Sequence, residues 1–317
     1  MLIDAHIHVW ARENLPDGDR WAFARRAARS RLPFRNPEDI FPRVGVGAWD
    51  PEGEEMIRIM DDIGIDKVID HVCDFGPGFG NEASWSFEEI QEHAHTLIGK
   101  YPDRYYPLCG VDPRRYNAVQ LLERSVLEWG AVGWQCFPAN GYRPDDPMCF
   151  PLYQKCQELG VPVVIRTGNG DIVPDTVSSN PLYVEPVARL FPELNLILAH
   201  SGGGIDGHWR EAVMVASVNP TIHLQLSLWQ NGLFATERAP DRIGEFLRIL
   251  STMVTRVGAH RILWGTDFAR GSDMDVNKKW ANLFLNLPEE AKEYKFLFSD
   301  EERDLMCYAN SQRLFKL

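Results

Sequence analysis

Eight short runs rich in branched and aromatic apolar residues, spaced by longer amphipathic stretches, limit this chain to very few architectures. The runs are Leu2–Val9, Lys67–Val72, Tyr105–Val111, Ala131–Phe137, Val161–Ile165, Asn195–Ala199, Thr221–Leu226 and Arg261–Trp264. Each reads as a strand. Ala118–Trp129, Leu152–Leu159 and Val184–Leu190 read as helices between them, and another helix ends near Gly64. Stop-and-turn chemistry precedes several strands, as in Glu158-Leu159-Gly160-Val161-Pro162 and Phe191-Pro192-Glu193-Leu194. Strands that alternate with helices run parallel, because each helix carries the chain back to the end it left. Eight such units close into a (β/α)8 TIM barrel, an α/β fold of roughly 250 residues or more. The 317 residues leave room for insertions. An open doubly wound sheet is the competing plan, but Leu2–Val9 runs straight into His6 and His8 with no GxGxxG turn.

The expected organisation is one domain, 1–317, with a lid segment, residues 11–50, inserted after the first strand. That segment carries eight arginines (12, 20, 25, 26, 29, 31, 35 and 43) against six acids. It is therefore +2 while the rest of the chain is −14, for a total of −12. A loop following a barrel strand lies on the face where active sites are built. The segment reads either as a solvated basic helix on the rim, or as a lid or subunit contact that helps attract an anionic substrate. Trp21, Ala24 and Ala28 make too narrow a stripe for a membrane-surface helix.

With 45 acidic residues against 33 basic ones, the whole-chain field repels phosphate, which argues against a nucleic-acid binder. No run approaches the ~18 apolar residues of a membrane span, and the start Met-Leu-Ile-Asp-Ala-His has neither a basic nor an apolar leader region. A soluble cytoplasmic protein is expected. The six cysteines form no CxxC pair and read as reduced, buried thiols.

His6-Ile7-His8 is the sharpest local signal. Residues i and i+2 of a strand point to one side, so both imidazoles converge on one point at the barrel mouth. Two neutral imidazole nitrogens at one point suit a transition metal. Gly265-Thr266-Asp267 closes the eighth strand, which neighbours the first in a closed barrel, so Asp267 can reach the same point. His200 ends the sixth strand in Ala199-His200-Ser201-Gly202-Gly203-Gly204, where the glycines allow close backbone approach to a ligand. His71 ends the second strand and Gln135 the fourth; both are candidate substrate contacts.

Taken with Asp4-Ala5-His6-Ile7-His8, Gly133-Trp134-Gln135-Cys136-Phe137-Pro138, Pro144-Asp145-Asp146-Pro147, Trp264-Gly265-Thr266-Asp267-Phe268 and Ala309-Asn310-Ser311-Gln312-Arg313-Leu314-Phe315, the chain resembles the amidohydrolase superfamily. It looks most like the amidohydrolase-related group that includes aminocarboxymuconate semialdehyde and resorcylate decarboxylases. The resemblance implies one divalent metal, most often zinc, held by His6, His8 and Asp267. It implies a catalytic His200, and a homodimer, since relatives commonly pair. It also implies a histidine ending the fifth strand, where this chain has Arg166.

A guanidinium does not lose its proton in a protein and does not ligate a metal. Three readings follow. The metal is held by fewer side chains, with His200 or substrate oxygens completing its shell. Or Arg166 replaces the cation. Or the chain is a non-catalytic, anion-binding relative. In the first two, Arg166 anchors a substrate carboxylate, and Arg270 is a second candidate anchor. The first functional expectation is a hydrolase that cleaves a C–N or C–O bond of a small, carboxylate-bearing, aromatic or cyclic molecule. There Asp267 or His200 takes a proton from water. The alternative is a non-oxidative decarboxylase of an aromatic or enolic acid, with Asp267 or His200 protonating carbon.

Overall fold

A computed structural model describes residues 1–30, 32–168, 177–234, 236, 239–269 and 271–317. The eight expected strands form, each shorter than its apolar run: β1 (Ile3–Ile7), β2 (Lys67–Asp70), β3 (Tyr105–Pro107), β4 (Trp134–Cys136), β5 (Val163–Arg166), β6 (Leu196–Ala199), β7 (Ile222–Gln225) and β8 (Ile262–Leu263). All neighbouring strands pair in parallel, as one sheet of order β1-β2-β3 and another of order β4 to β8. Single parallel bridges join the two sheets, Cys109 with Trp134 and Ile7 with Phe268. The second seam is reinforced by Ala5 N–H to Trp264 O at 3.1 Å, His8 N–H to Phe268 O at 2.8 Å and Asp267 N–H to His6 O at 2.8 Å. The sheet is thus closed, and the fold is a (β/α)8 barrel.

Side-chain alternation fills the inside and the outside separately. Ala5, Ile69, Leu108, Val164, Ile197, Ala199 and Leu263 pack together within the barrel, with Leu314 and Phe315 of the C-terminal helix against them. Trp134, Val163, Ile165, Leu196, Leu198, Ile222 and Leu224 face the surrounding helices. Along β5 the inward residue after Val164 is Arg166, so alternation itself delivers a guanidinium to the mouth. In β1 the alternation breaks: the register with β2 shifts between Asp4 and Ile7. Asp4 anchors this irregular stretch. Its Oδ1 accepts from His6 N–H at 3.0 Å and Thr266 N–H at 2.9 Å, and its Oδ2 accepts from the Thr266 hydroxyl at 2.6 Å.

The helices form where the apolar period predicts them. Glu54–Ile63 buries Met56, Ile59 and Met60 and stops at Gly64, whose φ of 88° belongs to the left-handed region. Ser86 and Glu89 cap Phe87–Lys100 reciprocally. Residues 11–50 leave and rejoin the barrel side by side, through a bridge between Trp10 and Trp49 and a 2.7 Å bond from Asp50 N–H to Trp10 O. Between them the helix Asp17–Arg29 buries Asp19, Arg20, Ala24 and Ala28, and Trp21 stacks on Phe41 with ring centroids 4.0 Å apart. No helix among the described residues is long and apolar enough to cross a membrane. All six cysteines are buried and unbridged.

Candidate active site

The C-terminal ends of the strands surround a cleft of about 160 Å3, lined by His6, His8, Leu15, Asp19, Cys73, Phe75, Phe137, Arg166, His200 and Asp267. An apolar cavity of ~150 Å3 is enough to hold one benzene ring. At its base, His6 Nε2 and His8 Nε2 each lie 3.1 Å from Asp267 Oδ1. His6, His200 and Asp267 offer ligand atoms all within 4.8 Å of one another.

Neighbouring groups fix the tautomer of each imidazole. His6 Nδ1–H donates to the Gln225 amide oxygen at 2.9 Å. His8 Nδ1–H donates to the His71 carbonyl at 2.9 Å. His200 Nδ1 is 2.9 Å from the Ser227 hydroxyl, which itself donates to Gln225 Oε1 at 2.7 Å. A hydroxyl that donates elsewhere accepts here, so Nδ1 of His200 carries hydrogen. In the neutral rings, all three Nε2 atoms are bare lone pairs. The oxygen they surround, Asp267 Oδ1, is buried and accepts no hydrogen bond of good geometry.

Electron-rich atoms gathered in this way call for a cation. Two ligand atoms about 2.1 Å from one ion, and roughly 95–100° apart, are about 3.1 Å from each other. Imidazoles whose far nitrogens are held by amide, hydroxyl and carbonyl groups are also what a metal site requires. His6, His8 and Asp267 therefore fit a divalent cation, with His200 beside them. The titration behaviour points the same way. Burial pushes the pKa of His6 down and that of His200 well down, so both stay neutral. Burial would raise Asp267, but the adjacent His6 and His8 hold it well below the usual carboxylate range. Burial also disfavours charge on His8, yet Asp267 and Cys73 beside it push its pKa well above the ordinary histidine value. Metal binding at His8 must therefore displace a proton.

Two of the central residues have strained backbones. His200 has φ 63° and Asp267 φ 64°. Non-glycine residues held there cost about 1–3 kcal/mol each and concentrate at functional sites. Of the glycines after His200, Gly202 serves the chain itself rather than a ligand. A Cβ on Gly202 (φ 89°) would lie 2.4 Å from the His208 carbonyl carbon, and one on Gly168 (φ 82°) would lie 2.2 Å from that of Gly202.

The structure brings together His6, His8, Arg166, His200 and Asp267. Arg166 is 7% exposed, and its guanidinium carbon is 5.1 Å from the centre of the Phe137 ring. Two expected substrate contacts sit elsewhere. His71 stacks on His6 with centroids 3.4 Å apart, donates from Nε2 to Ala5 O at 3.0 Å, and does not line the cleft. Gln135 is also absent from the wall; with its amide nitrogen toward β2 it donates to Val72 O at 2.9 Å and His71 O at 3.3 Å. Both residues support the cluster from beneath. Arg270 lies outside the described residues.

The sequence reading missed Gln225 and Ser227, although polar residues two apart at the end of an apolar strand were a usable signal. Leu15 and Asp19 also come unannounced from the inserted segment. Its described arginines do not line the cleft: Arg12 and Arg20 pair with Asp17, and Arg25 and Arg29 flank a separate surface hollow. The acid Asp19, not an arginine, is what the segment presents to the cleft.

Comparison with known proteins agrees with this fold. A curated 2-amino-3-carboxymuconate-6-semialdehyde decarboxylase of Dictyostelium discoideum is 22% identical over 259 residues, which cover 72% of this chain and 69% of that one. The structure of a dihydroxybenzoic acid decarboxylase from a Polaromonas species, with bound manganese and 2-nitroresorcinol, superposes with a TM-score of 0.65 at 19% identity. It covers 100% of this chain and 97% of that one. A 5-carboxyvanillate decarboxylase from Sphingomonas paucimobilis gives a TM-score of 0.69 at 15% identity over 100% and 99% of the two chains. The amidohydrolase family model matches residues 3–317. With that match spanning nearly its whole length, and the ligand cluster placed at the barrel mouth, the chain belongs to the amidohydrolase family.

Proposed function

We propose that the protein is a non-oxidative carboxy-lyase of a small aromatic or enolic acid. The observation that carries this reading is the make-up of the cleft. One buried guanidinium, Arg166, shares a ring-sized space walled by Phe75 and Phe137 with a cluster of bare imidazole nitrogens and a carboxylate. Such a slot holds a planar acid by its carboxylate and its ring faces. The decarboxylases to which the chain is similar add support and move this reading ahead of hydrolysis.

Arg166 grips the carboxylate and fixes the ring. The apolar walls strip water from that carboxylate, which favours its loss as neutral CO2. A divalent cation on His6, His8 and Asp267, manganese or zinc by its N2O donors, would act as a Lewis acid toward substrate oxygen. Asp267, bridging the imidazoles, accepts a proton from a substrate hydroxyl and delivers it to the carbon bearing the carboxylate. The bond to the carboxylate then breaks, its electron pair returns to the ring, and CO2 departs. His200, neutral and bare at Nε2, is also placed to take a proton from water, which keeps hydrolysis as the second reading.

Hydroxybenzoates labelled with 13C in the carboxylate, tested beside carboxylate-bearing aromatic esters, amides and lactones in H2 18O, separate the two. The expected result is labelled CO2 equal to the acid consumed, with no 18O in the organic product. An 18O-bearing product without CO2 overturns the lyase. Removing the support of His6 tests the cation: Gln225→Leu is expected to weaken divalent-metal binding about ten- to a hundredfold in a manganese titration. Unchanged affinity means that Gln225 does not orient a ligand.

A further inference from the structure

We propose that the cleft continues past Leu15 and Asp19 into a second, largely apolar subsite. It takes the end of the substrate remote from the carboxylate, an uncharged aromatic arm joined through an oxygen acceptor. The inference rests on Arg166 anchoring a carboxylate, not on the loss of CO2.

A cavity of about 410 Å3 lies under the inserted segment, walled by Trp10, Phe23, Val44 and Trp49 among others, and it shares Leu15 and Asp19 with the first cleft. Trp10 ties the two together. Its indole stacks on His8, with centroids 4.7 Å apart and planes 16° apart, and it also lines the second cavity. A molecule seated against the His8 cluster therefore meets this cavity as the extension of its own slot. Among the described lining residues only Asp19 is ionisable, so an anionic arm would find no counter-ion there, and a cationic arm only a carboxyl whose charged form burial disfavours.

Asp19 supplies the second, independent observation. It is 6% exposed, yet no hydrogen bond or ion pair joins its carboxyl to another described residue. The neighbouring Arg20 spends its guanidinium elsewhere, on Asp17 Oδ1 at 2.9 Å and Phe41 O at 3.3 Å. Burial pushes the Asp19 pKa up to about 7, against a smaller opposing pull from Arg20. A mostly buried carboxyl without a partner among the described residues has its hydrogen-bonding capacity left for whatever enters the cavities it lines. Asp19 lines both cavities, and in its protonated form the carboxyl donates a hydrogen bond to whatever passes between them. An ether, carbonyl or hydroxyl oxygen at the start of the arm would satisfy it.

Calorimetric titration of the purified full chain with benzoate, 3-phenoxybenzoate and 4-phenoxybenzoate tests this without turnover. The better phenoxybenzoate is expected to bind at least about tenfold tighter than benzoate, from burial of the second ring. Ala48→Trp, which fills the cavity, is expected to abolish that advantage while leaving benzoate within about twofold; Phe23→Trp serves if the first variant does not fold. Asp19→Leu is expected to reduce the advantage and Asp19→Asn, which keeps a donor, to retain it. Equal affinities for all three acids, no binding of any, or an advantage that survives the filled cavity overturns the proposal. Absence of CO2 release with the affinity ratio intact would sink the carboxy-lyase reading alone.

Discussion

Asp267→Asn is expected to lower single-turnover decarboxylation by roughly a thousandfold or more, about 4 kcal/mol of barrier. An amide neither accepts the substrate proton nor carries the charge that the imidazoles surround. In the wild type, Oδ1 lies 3.1 Å from both His6 Nε2 and His8 Nε2, with the side chain 16% exposed. The variant keeps the volume, so a thermal melt close to that of the metal-free wild type is expected alongside the lost rate. A fall of tenfold or less would remove Asp267 from the reacting atoms.

Arg166→His is the second large effect, and its two readouts move in opposite directions. The variant places an imidazole beside His6, His8, His200 and Asp267 and removes a fixed positive charge that now pushes the pKa of His200 down. Divalent-metal affinity is expected to rise about tenfold or more, because a ligand replaces a repelling cation. At the same time kcat/KM for the native acid is expected to fall about a hundredfold, as the bidentate carboxylate anchor is lost. Arg166→Lys, which keeps the charge but not the fork, is expected to fall between the two. Higher native turnover in the histidine variant would contradict the anchoring role.

The barrel was legible because its signal is periodic and repeated. Each of the eight strands lies within, or one residue beyond, its apolar run, and several flanking run residues, such as Cys109, Trp264 and Leu226, still bond a neighbouring strand. His6 and His8 were legible through their spacing, Asp267 and His200 through their places at strand ends. Side-chain direction was harder to read. His71 also ends a strand, but it points beneath the cluster and stacks on His6. No local pattern announces that, nor the register shift between β1 and β2 nearby. Asp19 was illegible for another reason. It sits in a helix whose composition reads as a basic surface, and only the tertiary path of residues 11–50 carries its carboxyl inward. The net charge of that segment described the side facing solvent, not the side facing the cleft.

The two seams of the barrel carry a consequence for how the protein is made. The bonds from Asp4 to Thr266 span 262 positions, and the same seam sets His6 and His8 against Asp267. The residues that gather the charge thus lie on opposite sides of a closure that spans 262 positions of chain. They meet only once the ring of strands has shut. A cation on this cluster would clasp the closed ring, and its binding energy would add directly to the resistance of that seam to opening.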